Sequence, residues 1–278
     1  QTLFSSLDQN KWIFYYYRIG IAFSVKKILI YQEEGTSPCS IQSLLLSLQQ
    51  ENLDKKYILK RINSEHLQRD LWQLETHLLI FPGGRDLPYC HSLRGLANRN
   101  IINFVQKGGS FLGICAGAYY ASSLVNFEMG SPLEVVGPRE LQFFPGIAYG
   151  PAYGSSKFSY ENPSGARIAN LDIRLPNQIS KSTAAYFNGG CLFLQVNRYK
   201  AYVSTISTYV DIDGYLPAII ECQVGKGRAI LSGVHPEYSA RHLGSHHYFN
   251  KNHLTLLENI ESKRRTLFQT LLQRFEIN

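Results

Sequence analysis

The 278-residue chain has no two cysteines in C-x-x-C spacing. Its five cysteines, Cys39, Cys90, Cys115, Cys191 and Cys222, are odd in number and scattered. That pattern argues against a zinc site or a disulfide framework, so no metal is expected. No apolar run approaches the ~20 residues that a membrane span requires; residues 12 to 25 are apolar and aromatic but broken by Arg18. The turn Gly225-Lys-Gly-Arg228 lacks the G-x-x-x-x-G-K-[ST] pattern and reads as a hairpin turn, not a phosphate loop. Internal repeats and linkers are missing too. A striped basic surface with interleaved aromatics, the mark of a nucleic-acid site, is not visible. The formal net charge of +7 is spread over Lys26-Lys27, Lys55-Lys56 with Lys60-Arg61, and Lys263-Arg-Arg265. No nucleic-acid partner is expected; the clusters read as a solvated face, with an anionic small substrate as the alternative.

The length suits one large α/β domain or two small ones, and 44% hydrophobic content supports a core. Residues 1 to 26 read as an N-terminal extension and residues 27 to 278 as a single domain. From 27 to 124, strand and helix patterns alternate, which predicts parallel strands with helices on both sides. Strands are expected at Lys27 to Tyr31, Tyr57 to Ile62, His77 to Phe81 and Ser110 to Ile114. Ser37-Pro38 caps a helix whose Ile41, Leu44, Leu45 and Leu48 share one face. Ser64 to Trp72 reads as a short helix, and Ser92 as the cap of another bearing Leu93, Ala97, Ile101 and Phe104. Residues 125 to 200 are richer in Gly, Pro, Ser and aromatics, and predict β-hairpins and loops folded onto one end of the sheet. Strands follow at Tyr202 to Thr208, Pro217 to Val224 and Arg228 to Ser232, and an amphipathic helix at about 254 to 275 closes the chain.

Three motifs sit at the C-terminal ends of predicted strands, where α/β sheets bind ligands. Gly113-Ile-Cys115-Ala-Gly117 has the G-x-C-x-G pattern of a nucleophile elbow. Its small residues permit a sharp turn that aims the sulfur at a helix start, whose positive end favours a thiolate. The same five residues also suit a plain turn with a buried cysteine. Pro82-Gly83-Gly84 is a flexible turn whose N–H groups, with that of Ala116, could form an oxyanion hole. His235-Pro236-Glu237 supplies a base and a carboxylate to orient it. Arg85 and Asp86 follow the glycine turn, as a substrate clamp or a turn-stabilising ion pair. His242, His246, His247 and His253 read as solvated loop histidines rather than ligands.

Taken together, these motifs resemble the class I glutamine amidotransferase-like, flavodoxin-like superfamily with its Cys-His-Glu triad. A closer resemblance covers roughly residues 27 to 240. Ile28 to Ser37, Phe81 to Tyr89, Gly113 to Tyr120, Arg139 to Gly146, Tyr186 to Gly190 and Gly233 to Glu237 look like the amidotransferase-like N-terminal domain of biotin-protein ligases, which also has stand-alone relatives. The resemblance implies a mostly parallel sheet flanked by helices, with a β-rich insertion at about 125 to 200 after the elbow. It implies that Cys115, His235 and Glu237 are catalytic, and that Gly83, Gly84 and Ala116 line the oxyanion site. It places Arg85, Asp86, Tyr119, Arg139, Glu140, Tyr186 and Asn188 around a substrate pocket. Glutamine amidotransferases commonly carry glutamine where this chain has Tyr119, so the pocket is expected to differ. Neither the Gly-Arg-Gly-Arg-type adenylate loop of a biotin ligase nor a synthetase domain is found, so the chain is not expected to biotinylate proteins. The expected activity is a cysteine-dependent amidase or hydrolase without a cofactor, acting on a small-molecule substrate. A silent module that binds a ligand, or a protein partner in biotin metabolism, is the alternative. A reactive thiol suits the cytoplasm, while the start at Gln1 leaves a cleaved signal peptide open.

Overall fold

The computed structural model describes residues 25–154, 158–160, 162–174, 180–243 and 251–277. Most of the expected N-terminal extension, and His246 and His247, therefore lie outside the described residues. In chain order the elements are β1 (Lys27–Tyr31), α1 (Pro38–Gln50), β2 (Ile58–Ile62), α2 (Ser64–Leu67), β3 (Thr76–Phe81), α3 (Asp86–Leu93), α4 (Leu96–Gln106), β4 (Ser110–Ile114) and α5 (Ala116–Tyr120). There follow β5 (Ser122–Phe127), β6 (Val135–Pro138), β7 (Phe144–Gly150), β8 (Arg167–Arg174), β9 (Ser180–Phe187) and β10 (Leu192–Leu194). The chain ends with β11 (Val203–Tyr209), β12 (Pro217–Val224), β13 (Gly227–Ser232), α6 (Ala240–Leu243) and α7 (Lys251–Arg274).

Among the described residues, nine strands form one sheet in the order β2-β1-β3-β4-β13-β12-β11-β8-β9. The first five run parallel. From β13 onward every pairing is antiparallel. The sheet is thus mixed rather than mostly parallel. The β-rich region is also not wholly a set of hairpins on one end: β8 and β9 extend the main sheet. Only β10-β7-β5-β6 form a separate four-stranded sheet.

Strand alternation divides the core into two layers, because successive side chains point to opposite faces. Leu29, Tyr31, Leu79, Phe81, Phe111 and Leu231 pack on one face with Ala97, Ile101 and Phe104 of α4. Ile28, Ile30, Leu78, Ile80, Leu112 and Ile230 pack on the other with Leu44 and Leu48 of α1 and Leu267 and Leu271 of α7. Helices on both faces explain why β4 is buried at all five positions.

Two local expectations are corrected. Ser92 lies in the last turn of α3, and the next helix starts after Gly95, whose φ of 79° breaks the run. The expected helix from Ser64 to Trp72 stops at Leu67 and gives way to a 3-10 segment at Asp70–Glu75. No helix among the described residues is long and apolar enough to cross a membrane.

Candidate active site

β4 runs into α5 through Cys115, whose φ of 50° and ψ of −103° lie in a region that non-glycine residues rarely occupy. Holding a residue there costs on the order of 1–3 kcal/mol and requires support from around it. That support is close packing across Gly113 and Gly117. A Cβ on Gly113 would stand 2.6 Å from the Gly117 carbonyl oxygen, and one on Gly117 would stand 2.3 Å from that of Phe81. The Cys115 N–H donates to the Ser232 carbonyl at 2.8 Å, tying the turn to the end of β13. The thiol is buried, and its sulfur lies 3.9 Å from the Asn188 carbonyl oxygen.

Beyond β13 the chain carries His235 to the same place. Its N–H donates to the Tyr186 carbonyl at 2.8 Å, and its ring stacks on Tyr238 with centroids 4.6 Å apart. His235 Nδ1 lies 2.9 Å from Glu237 Oε1, and both side chains are buried. A carboxylate accepts, so Nδ1 carries the hydrogen and Nε2 is left for the sulfur. Burial pulls the His235 pKa down, but the Glu237 carboxylate and the charge and hydrogen bond of Cys115 outweigh it and raise the pKa to about 10. Cys115, His235 and Glu237 are therefore brought together.

The glycine turn behaves differently from the expectation. The Gly83 N–H is not free: it donates to Ser40 Oγ at 3.1 Å. Gly83 instead makes room for the histidine, since a Cβ there would stand 2.6 Å from His235 Cε1. Gly84 and Ala116 do line the cavity next to Cys115.

That cavity has a volume of about 510 Å³. Arg85, Asp86, Tyr119, Tyr186 and Asn188 line it, as expected from the sequence. Arg139 and Glu140 do not. Arg139 is buried behind Asp86, donating from Nε to Oδ2 at 2.7 Å. Burial raises the Asp86 pKa against the opposing pull of the Arg139 guanidinium. Glu140 instead serves the start of α4, accepting from the Gly95 N–H at 3.0 Å and from Asn98 Nδ2 at 2.7 Å. Those bonds, the Gly95 N–H first, lower its pKa. Tyr119 donates its hydroxyl to the Gly189 carbonyl at 3.1 Å, and meets Phe127 edge-on at 5.5 Å. Phe158 and Tyr160 continue this aromatic wall, and the Arg85 guanidinium lies 4.5 Å from the Tyr160 ring centre. The expected excess of positive charge is not concentrated here, because the lining also carries Glu34 and Asp86.

Ser40, Tyr238, Phe158 and Tyr160 are site residues that the motifs did not flag. Ser40, Ser43 and Ser47 recur at helical spacing, and this buried polar face of α1 was the available signal. Nothing in the local sequence around Tyr160 points to the cavity. No group of three or more His, Cys, Asp or Glu among the described residues could hold a metal ion.

The sequence profile described as "Biotin-protein ligase, N terminal" matches residues 26–278, nearly all of the chain. The chain belongs to the biotin-protein ligase N-terminal family. A biotin-protein ligase of Schizosaccharomyces pombe is 39% identical over 215 residues, which cover 77% of this chain and 33% of the ligase. The chain thus matches only about a third of that relative's length. A Chlamydia muridarum protein described as uncharacterized is 39% identical over 216 residues, covering 77% of this chain and 82% of its own length. It shows that the family includes proteins in which this region makes up most of the chain. A solved structure of a putative ThuA-like protein from Bacteroides uniformis superposes with a TM-score of 0.51 at 12% identity, covering 88% of this chain and 93% of that one. At that identity the likeness concerns the fold alone.

Proposed function

We propose that this member of the biotin-protein ligase N-terminal family is a cysteine-dependent amidase of the class I glutamine amidotransferase-like type, formed by a single domain over residues 27–278. One observation carries the reading. Cys115 sits on a strained strand-to-helix turn beside a histidine whose other ring nitrogen is held 2.9 Å from a buried carboxylate. The strand order β2-β1-β3-β4, which has the flavodoxin-like pattern, adds support. In this mechanism the Cys115 thiolate attacks the amide carbonyl and a carbon–sulfur bond forms. The N–H groups of Gly84 and Ala116 stabilise the oxyanion, each donor contributing about 2.7–4 kcal/mol. The protonated His235, oriented by Glu237, gives its proton to the leaving amine as the carbon–nitrogen bond breaks. Water activated by His235 then hydrolyses the thioester. The aromatic wall of Tyr119, Phe127, Phe158 and Tyr160 favours a substrate with a flat or apolar body over a bare glutamine side chain. The family relationship makes biotin-linked amides the first substrates to screen beside glutamine, and the free thiols suit a reducing compartment such as the cytoplasm.

The test is the pH dependence of Cys115 alkylation by iodoacetamide, read by peptide mass spectrometry in the native chain and in His235→Ala. Fast, selective labelling well below the ordinary thiol pKa of ~8.5, and lost in the variant, is the expected result. Slow labelling indifferent to His235 would sink the amidase. It would leave the second reading, a ligand- or partner-binding module, which the aromatic wall closed by the Tyr119–Gly189 bond favours.

A further inference from the structure

Helix α1 turns three serines inward: Ser40, Ser43 and Ser47 are each at most 1% exposed. Ser40 stands between the two parts of the candidate site. Its Oγ lies 2.8 Å from Glu237 Oε1 and 3.1 Å from the Gly83 nitrogen. A backbone N–H donates and a carboxylate accepts, so both directions are fixed. Ser40 accepts from Gly83 and gives its one hydroxyl proton to Glu237. The same Oε1 receives His235 Nδ1–H, so Ser40 and His235 converge on one carboxylate oxygen. Glu237 Oε2 is buried with no hydrogen-bond partner among the described residues.

We infer that Ser40 is a positioning residue, a fourth member of the Cys115–His235–Glu237 relay that keeps the Glu237 carboxylate aimed at His235 while it locks the Pro82-Gly83-Gly84 turn against the histidine. The inference rests on the amidase reading of the same site. Ser40 turns the Gly83 N–H away from the cavity, so the next amide along the turn, that of Gly84, is the one left to face it. The turn and the relay then move as one unit, because a single hydroxyl is bonded to both. Ser47 makes a useful contrast. It donates to the Glu237 backbone carbonyl at 2.9 Å, not to the carboxylate. Around Glu237 the titratable groups are His235 and Tyr238 from its own segment and Cys39 from α1, while Cys115, from the turn after β4, faces His235. Arg264 of α7 reaches the neighbouring Pro236 carbonyl at 2.7 Å.

The experiment follows Cys115 alkylation across a pH series in the parent, Ser40→Ala, Ser40→Thr and Ser47→Ala, with thermal melting of each. Without Ser40 the Glu237 carboxylate loses one of the two bonds that fix Oε1, and the His235 ring is held less firmly beside Cys115. A weaker imidazolium partner favours the thiolate less, so the acid limb of labelling moves to higher pH by about one unit. Ser40→Thr keeps the hydroxyl and retains the parental midpoint. Ser47→Ala melts at lower temperature with its midpoint unmoved, as a purely structural bond requires. A folded Ser40→Ala with the parental midpoint overturns the inference, as does an equal shift in Ser47→Ala. If Ser40→Ala does not fold, Ser40→Val, the apolar isostere of Ser40→Thr, carries the same expectation and the same overturning result. A parent that labels slowly, with no dependence on His235, sinks the amidase reading itself and the role of Ser40 with it. An active parent with an unmoved Ser40→Ala sinks the Ser40 inference alone.

Discussion

His235 is only 4% exposed, yet its pKa stands at about 10, above its ordinary value of 6.5. Burial opposes the charge, but Glu237 and Cys115 more than restore it. A raised histidine pKa stabilises the fold fully below the unfolded value, and that stabilisation is lost as pH rises through the folded value. The window here runs from about 6.5 to about 10. Replacing Cys115 with alanine removes one of the two partners and lowers the upper edge of the window. Melting temperature against pH is expected to begin its alkaline decline earlier in Cys115→Ala than in the parent. Coincident curves would mean that the sulfur and the ring do not share a charge. At this scale the sequence was legible where a side chain's chemistry is rare: a cysteine between glycines and a histidine two residues before a glutamate. Serine at 40 carried only the helical spacing it shares with Ser43 and Ser47, a weak mark because a serine near a helix start is ordinary. Only its burial against Glu237 gives it meaning.

Elements buried on both faces were the easiest to read. β1, β3, β4 and β13 are short apolar runs because helices cover both sides of that half of the sheet. β9 was not read, and its first three residues, Ser180 to Ser182, are exposed. The C-terminal helix was legible from its apolar face, but not what it does for the site. Arg264 of α7 is 1% exposed and spans two elements: it is paired with Glu261 on its own helix and donates to the Pro236 carbonyl at 2.7 Å. Arg264→Leu would leave that buried carbonyl unpaired and cost about 1–3 kcal/mol. Chemical denaturation of the variant should show that loss, together with slower Cys115 alkylation, since His235 precedes Pro236 directly. Full labelling speed in a destabilised variant would confine the role of α7 to the core.

Across the whole molecule, the sheet changes character at β13, with parallel partners on one side and antiparallel ones on the other. The hairpin turn at Gly225-Lys-Gly-Arg228 announced the antiparallel β12–β13 pair, but strands 8 and 9 carry no signal that they join the same sheet. Three of the antiparallel pairings join neighbours in sequence, β8 with β9, β11 with β12 and β12 with β13, and only β11 with β8 reaches across intervening strands. Residues 110–114 of β4 pair with 228–232 of β13, although most of the chain's β-strands lie between them in sequence. Closing so long a loop is entropically slow, and long-range pairing of this kind retards folding. During synthesis the cysteine therefore waits, without its base, while residues 116 to 235 are made. In a refolding time course, selective labelling of Cys115 should appear only in the last phase, after most of the secondary structure has formed. The thiol thus acts as an inspection stamp: it becomes reactive only in a chain whose two distant halves have found each other.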